Sequence, residues 1–349
     1  MKRRTAITIA GVVLFLCIIF YLSYRVQYQD SPRLRSRERA LMGTVFSLKI
    51  ADPLSHEDFV RVTDGIFTEI ARLEQVMSEY IPDSPISRAA ALAGKISVSV
   101  PDDVLAVLDC AHNVSETTGG AFDITFKPLG KLWDVTNRVS PPAEDAVQRA
   151  RSYVDYHRVR IDHEHRLLFL EKSGMAIGLG GIAKGFAARR AATMLRSAGI
   201  ENFIINAGGD LFFSGRKGDA PWTCGVRNPV DPAHLIRRFS ILSDCAVATS
   251  GDYEKYFIYE GIRYHHIINP RTGYPARGMK SVTVFAGDPA VADAYATAFF
   301  ILGIKKASAI VSTQPDLAFV MIDDDNRIHT SETLDTFAEE IPLASGVPR

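Results

Sequence analysis

The sequence predicts an α+β (mixed α/β) protein built as two intimately packed lobes, with mixed sheets flanked by helices. Three observations support that class. Apolar residues recur at three- and four-residue spacing in a few long segments, which is the period of an amphipathic helix. Between them lie many short β-type runs bounded by glycine and polar turns. The chain has 349 residues, 47% of them hydrophobic, enough for one large core or two joined halves.

The N-terminus differs in kind from the rest. Met1-Lys2-Arg3-Arg4 precedes an apolar run from Ala6 to Leu22. Its length approaches a membrane span and it lacks a small-x-small cleavage site, so residues 1–24 read as an uncleaved signal anchor. Leu14, Phe15 and Leu16 are too bulky to make Cys17 a lipoprotein cysteine. Residues 25–39 are polar and Arg-rich and read as a tether, and the folded domain spans 40–349. Arg25, Arg33, Arg35, Arg37 and Arg39 outnumber Lys2, Arg3 and Arg4, so charge counting alone puts the bulk of the chain in the cytoplasm.

Residues 41–50 alternate as a strand does. Phe59, Val62, Ile66, Ile70, Leu73 and Met77 then mark a helix, with Ser55 as its N-cap and Glu57 and Asp58 in its first turn. Pro101 opens a second helix over 101–118, which Gly119 closes. A strand at 166–171 leads into a glycine turn and a helix over 182–198. Strands follow at 203–206, 211–215, 222–226, 237–248, 253–259, 262–268 and 280–286. A helix over 289–302 ends at Gly303, and 316–322 is the last strong strand.

Composition narrows the function. Lys+Arg and Asp+Glu balance at 40 each, so whole-chain charge makes no case for nucleic acid. Cys17, Cys110, Cys224 and Cys245 form no CxxC pair; they read as buried thiols, with a Cys224–Cys245 disulfide as the alternative in an exported region.

The stretch GLGGIAKGFA, 178–187, carries the clearest chemistry. Glycines let backbone approach a phosphate, the helix N-terminus favours negative charge, and Lys184 adds a positive one. Gly178, Gly180 and Ala183 also fit a dinucleotide fingerprint, but the next strand ends in Asn206, not an acid, and Lys184 is foreign to that pattern. Tight strand–helix packing is the bland alternative. Asp293 and Thr297 lie four apart on the 289–302 helix, so their oxygens share a face. Among small apolar neighbours that pair suits Mg²⁺; on an open face it would simply be solvated. His265 and His266 are adjacent, so only one can face a given site. His163 and His165 receive no role. Residues 119–133 and Tyr80 place aromatic side chains where a flat ring could stack, or where ordinary core would put them.

The ordered set MGT (42–44), MSEYIPDSPIS (77–87), TGGAFDITFKPLGKLW (118–133), GLGGIAKGFA (178–187), INAGGDL (205–211), ATSGDYEKYF (248–257), YHHIINPRTGYP (264–275) and ADAYATAFFILG (292–303) resembles the FAD:protein FMN transferase (ApbE-like flavin transferase) family over nearly all of 40–305. The resemblance implies an ApbE-like fold and an enzyme that splits FAD at its diphosphate. The FMN half passes to a threonine of an acceptor protein, AMP leaves, and Mg²⁺ is required. It implies side-chain metal ligands at Asp293 and Thr297 with the Gly181 carbonyl beside them. Lys184 falls on the phosphates, and His266 is the base toward the acceptor. Met42, Tyr80, Ala121, Phe122, Asp123, Gly178 and Ile267 surround the flavin dinucleotide. It further implies a flavin-bearing subunit of a membrane electron-transfer complex as acceptor, and a single-pass protein of the bacterial inner membrane with its catalytic domain on the periplasmic face. An FAD pyrophosphatase yielding FMN and AMP, or a non-catalytic FAD-binding protein, is the alternative. The chain departs from the family pattern at Gly178 and Asn269, where Asp is usual, and near Ala90, where Asn is frequent.

Overall fold

The computed structural model describes residues 34–231 and 233–343. The apolar run assigned to an anchor lies outside the described residues. Among the described residues no helix is long and apolar enough to cross a membrane.

The core is one eight-stranded sheet whose strands stand in chain order: β1 (Arg35–Leu41), β2 (Thr44–Ile50), β3 (Phe203–Ala207), β4 (Asp210–Ser214), β5 (Cys245–Gly251), β6 (Met279–Ala286), β7 (Leu317–Asp323) and β8 (Ile328–Thr330). Every neighbouring pair is antiparallel, which corrects the expectation of mixed sheets. This sheet is the largest of the four among the described residues. Its strands alternate faces, so one pattern serves two cores. Phe212, Ala246, Ala248, Val282, Val284 and Phe319 face the helices. Phe213, Val247, Phe285, Ala318 and Val320 face a three-stranded sheet made of Thr223–Arg227, Leu235–Ile241 and Ala338–Glu340.

Four long helices cover the first face: α1 (His56–Met77), α2 (Asp102–Thr118), α3 (Ala183–Ser197) and α4 (Pro289–Leu302). The Ser55 hydroxyl caps α1 by accepting from the Asp58 amide at 3.0 Å. Gly119, at φ 56°, closes α2 in the left-handed conformation that glycine adopts without strain. Asp288 caps α4 by accepting from the Ala290 and Val291 amides. Phe299 and Phe300 of α4 are fully buried, each contributing about 2 kcal/mol of hydrophobic stabilisation.

Three sequence expectations change. Arg35–Leu41, placed in the tether, is an edge strand. Arg35, Arg37 and Arg39 alternate toward α1, where Arg37 donates to the Thr63 hydroxyl at 2.8 Å and Arg39 lies over the Phe67 ring. Charged stems covering a helix make an edge strand read as a polar linker. The single strand expected over 237–248 is two strands in two sheets, separated at 242–244. The strand before the glycine turn, Leu167–Leu170, belongs to a small antiparallel sheet with Val98–Ser99 and Val159–Asp162. No parallel strand–helix–strand unit surrounds the turn, so the dinucleotide fingerprint has no structural basis here.

Candidate functional site

The site gathers at one end of the large sheet. Two tight hairpin turns open there: Met42–Gly43 between β1 and β2, and Gly208–Gly209 between β3 and β4. Met42 itself holds φ 52°, so the first turn bends through two left-handed residues. A side chain at Gly208 would drive its Cβ to 2.1 Å from the Thr44 hydroxyl, so the two turns touch.

The glycine bend 178–182 leads into α3, whose start carries no side-chain cap. Gly181 is wedged between Phe122 and Thr297; a Cβ there would lie 3.3 Å from both the Phe122 ring and Thr297 Oγ1. Gly180 has open space on its Cβ side. Gly185 lets α3 approach α4: its Cβ would sit 2.2 Å from the Pro289 carbonyl oxygen. That approach brings the Gly185 amide to Asp293 Oδ2 at 3.1 Å.

Asp293 and Thr297 share a face of α4, as their spacing requires. Thr297 Oγ1 lies 3.3 Å from Ser250 Oγ, on the helix side of β5. Asp293 is buried, at 5% exposure. Lys184 Nζ reaches both its carboxylate oxygens at 3.2 Å, the Gly180 carbonyl oxygen at 3.2 Å, and Asp210 Oδ2 at 3.2 Å. Burial alone would push the Lys184 ammonium down, but Asp293 and Asp210 hold it above the ordinary lysine value. It therefore stays charged.

Asp210 is a site residue the sequence reading passed over. It follows the Gly208–Gly209 turn, and its Oδ1 accepts from the Thr249 amide at 3.2 Å. The one signal was its place in the INAGGDL motif.

The two histidines separate clearly. His265 is buried, with Nε2 2.8 Å from the Ala276 carbonyl oxygen and Nδ1 accepting from the Ile267 amide. It holds the loop and leaves Ile267 buried behind it. His266 Nδ1 is buried without a hydrogen-bond partner. Burial, with the Lys255 and Lys184 ammoniums, pushes the His266 imidazole down to about 4. An ordinary imidazole titrates near 6.5, so this one is a weaker base than a free histidine.

Asp123 is engaged within its own loop. Its Oδ1 accepts from the Thr125 amide and hydroxyl, and its Oδ2 from the Tyr156 amide. Burial raises its carboxyl to about 6. The side chain shapes the loop that carries Ala121 and Phe122, so its own carboxylate is occupied. Beside it opens a cavity of about 350 Å³, lined in part by Gly120, Arg151, Tyr156 and Arg271.

Tyr80 is exposed, with Lys127 Nζ 4.0 Å from its ring centroid. Next to it, Glu79 pairs with Lys127 at 2.9 Å and accepts from the Leu179 amide at 3.2 Å, tying this segment to the glycine bend. Gly178 sits in the same contact: a Cβ there would lie 2.9 Å from the Phe126 ring and 3.4 Å from Glu79 Oε1. Asn269 forms a side-chain turn, its Oδ1 accepting from the Arg271 amide at 3.0 Å, a task asparagine performs as well as aspartate. Cys224 and Cys245 are buried free thiols.

The donor set tests a metal directly. Among the described residues no group of three or more His, Cys, Asp or Glu side chains is arranged to hold an ion. What is present is the Asp293 carboxylate with that of Asp210 nearby, the Thr297 and Ser250 hydroxyls, and the Gly180 carbonyl. Those hard oxygens suit Mg²⁺, which keeps waters and takes substrate phosphates to complete its shell.

Comparison with known proteins identifies the family. The sequence model of the ApbE family matches residues 42–321. A Treponema pallidum FAD:protein FMN transferase is 32% identical over 313 residues, covering 85% of this chain and 86% of its own. A Klebsiella pneumoniae FAD:protein FMN transferase is 31% identical over 292 residues, with 83% and 89% covered. Among solved structures, the ApbE protein of Thermotoga maritima superposes with a TM-score of 0.79 at 31% identity, covering 88% of this chain and all of its own. The flavin transferase ApbE of Vibrio cholerae gives 0.77 at 26% identity, covering 87% and 99%.

Proposed function

The chain belongs to the ApbE family of flavin-transferring enzymes, and from that premise we propose that it moves the FMN half of FAD onto a threonine side chain of an acceptor protein, with AMP leaving and Mg²⁺ assisting. The observation that carries this reading is the meeting of Lys184, Asp293, Thr297 and Gly181 beside an open glycine bend. Asp293, Thr297 and the Gly181 carbonyl are the groups that would hold the ion. When bound, it supplies Lewis-acid polarisation of the diphosphate oxygens.

The chain's own residues do the rest. The open side of Gly180 admits the diphosphate, and the uncapped start of α3 favours its charge. Lys184 neutralises charge as the phosphorus–oxygen bond to AMP lengthens. Phe122 and Tyr80 offer ring faces to the flat parts of FAD. Neutral His266 takes the proton of the acceptor hydroxyl as its oxygen attacks phosphorus.

The apolar N-terminal run anchors the enzyme in the bacterial inner membrane. The catalytic part faces the periplasm, where a flavin-bearing subunit of a membrane electron-transfer complex is the acceptor. A reporter fused after residue 40 tests the orientation, and activity of a cytoplasmic reporter there would overturn it. The central test incubates the enzyme with FAD, Mg²⁺ and a candidate acceptor. An acceptor heavier by one FMN supports transfer. Free FMN and AMP alone would make the enzyme a pyrophosphatase, and intact FAD a binding protein.

A further inference from the structure

We propose that Lys184 is the resident cation of the Asp293 seat: in the free enzyme its ammonium holds the place of the divalent ion, and metal and FAD enter as a coupled pair. This rests on the reading of the metal position given above and adds the order in which the site fills.

The geometry is specific. Lys184 Nζ stands at equal distance, 3.2 Å, from both oxygens of Asp293. The carboxylate is otherwise met by one amide, that of Gly185. A buried carboxylate needs a compensating charge, and here the chain supplies it from the helix beside it. An ion taking those oxygens would bring its two positive charges against the ammonium. Two cations in this space repel one another, and the diphosphate of FAD brings negative charge that offsets the repulsion.

The surroundings give Lys184 somewhere to go. Its ammonium also touches Asp210 Oδ2 and the Gly180 carbonyl oxygen, so it can release Asp293 without leaving the site. Asp210 is fixed on its far side by the Thr249 amide, and it follows a two-glycine turn that holds the carboxylate at the sheet end. Asp210 is thus a positioning residue, keeping Lys184 beside the diphosphate after the exchange. By linkage, FAD strengthens metal binding by the same factor as metal strengthens FAD binding.

The test titrates Mn²⁺ onto the full-length, detergent-solubilised protein, first without and then with FAD, reading free Mn²⁺ by electron paramagnetic resonance; the affinities compared below are those without FAD. Lys184→Met is expected to bind Mn²⁺ at least tenfold more tightly than the unmodified enzyme, and Asp293→Asn to lose binding. Lys184→Gln serves if the methionine variant fails to fold by circular dichroism. In a crystal soaked with Mn²⁺ and ADP, Lys184 Nζ is expected beyond hydrogen-bond distance of Asp293 and still on Asp210. Equal Mn²⁺ affinity with and without Lys184, lost in Asp293→Asn, would overturn the exchange while leaving the metal position intact. Mn²⁺ bound to Asp293 with Lys184 still in contact would overturn it too. No Mn²⁺ binding in any form, with or without FAD, would remove the metal reading and this inference together.

Discussion

The Gly185 amide and the Asp293 carboxylate meet at 3.1 Å, joining the first turn of α3 to a buried face of α4. The contact exists because position 185 has no side chain to strike the Pro289 carbonyl. Asp293→Asn keeps a side chain of the same size there but removes the charge that Lys184 pairs with and that the proposed ion would need. Turnover is expected to fall by about a hundredfold or more, the scale of losing one preorganised electrostatic contact. Steady-state rates at saturating Mg²⁺ check it, and rates equal to those of the unmodified enzyme would refute the metal position.

His266→Ala is expected to lower transfer by about a hundredfold, the low end for a general base, with a much smaller change in FAD affinity. Equal losses in both would make the side chain a wall of the pocket. Because its imidazole is held down to about 4, the acid limb that it imposes on transfer lies near that value, not near 6.5.

Stability follows the same histidine with a definite sign. In the unfolded chain the imidazole takes a proton near 6.5, in the folded one only near 4. Folding is therefore favoured by this group above about 6.5 and loses that contribution as pH falls toward 4. His266→Ala is expected to lose less melting temperature than the unmodified protein between pH 7 and pH 5, measured by calorimetry.

Gly178→Asp restores the residue usual in the family, yet it is expected to destabilise this chain by about 1–3 kcal/mol. Its Cβ would press on the Phe126 ring, and its carboxylate would stand beside that of Glu79. Phe126→Ala in the same background is expected to recover part of the loss. Denaturant melts of the single and double variants measure both effects.

Glu79→Ala leaves Lys127 without its partner and the Leu179 amide without its acceptor. An orphaned buried donor costs about 1–3 kcal/mol. The expected outcome is a KM for FAD raised about tenfold with kcat less affected, and Glu79→Gln is expected to recover much of it by accepting from the same amide.

Much of this was legible in the sequence, for identifiable reasons. The α4 boundaries came directly from Pro289 and Gly303, and the shared face of Asp293 and Thr297 from helical spacing. The α1 cap was visible in Ser55. The short helices Pro85–Ala91, Lys127–Trp133, Glu144–Arg151 and Ile304–Val311 run two turns or so, too few for a period to declare itself. Strand β1 was hidden because its alternating residues are arginines. Glu79 and Asp210 were passed over because nothing local marks a carboxylate whose partners lie far along the chain: Leu179 for one, Lys184 and Thr249 for the other.

The chain-ordered sheet has one long interruption. Residues 51–202 intervene between β2 and β3, and closing a loop of roughly 150 residues costs about 4 kcal/mol of chain entropy. Tyr80, Phe122 and Lys184 are made before that joint, while Asp210, His266 and Asp293 are made after it. A nascent polypeptide halted at β3 thus owns Lys184 and the glycine bend but none of the carboxylates that steady the lysine. The cluster around Lys184 is consequently complete only in molecules whose synthesis has run at least through α4.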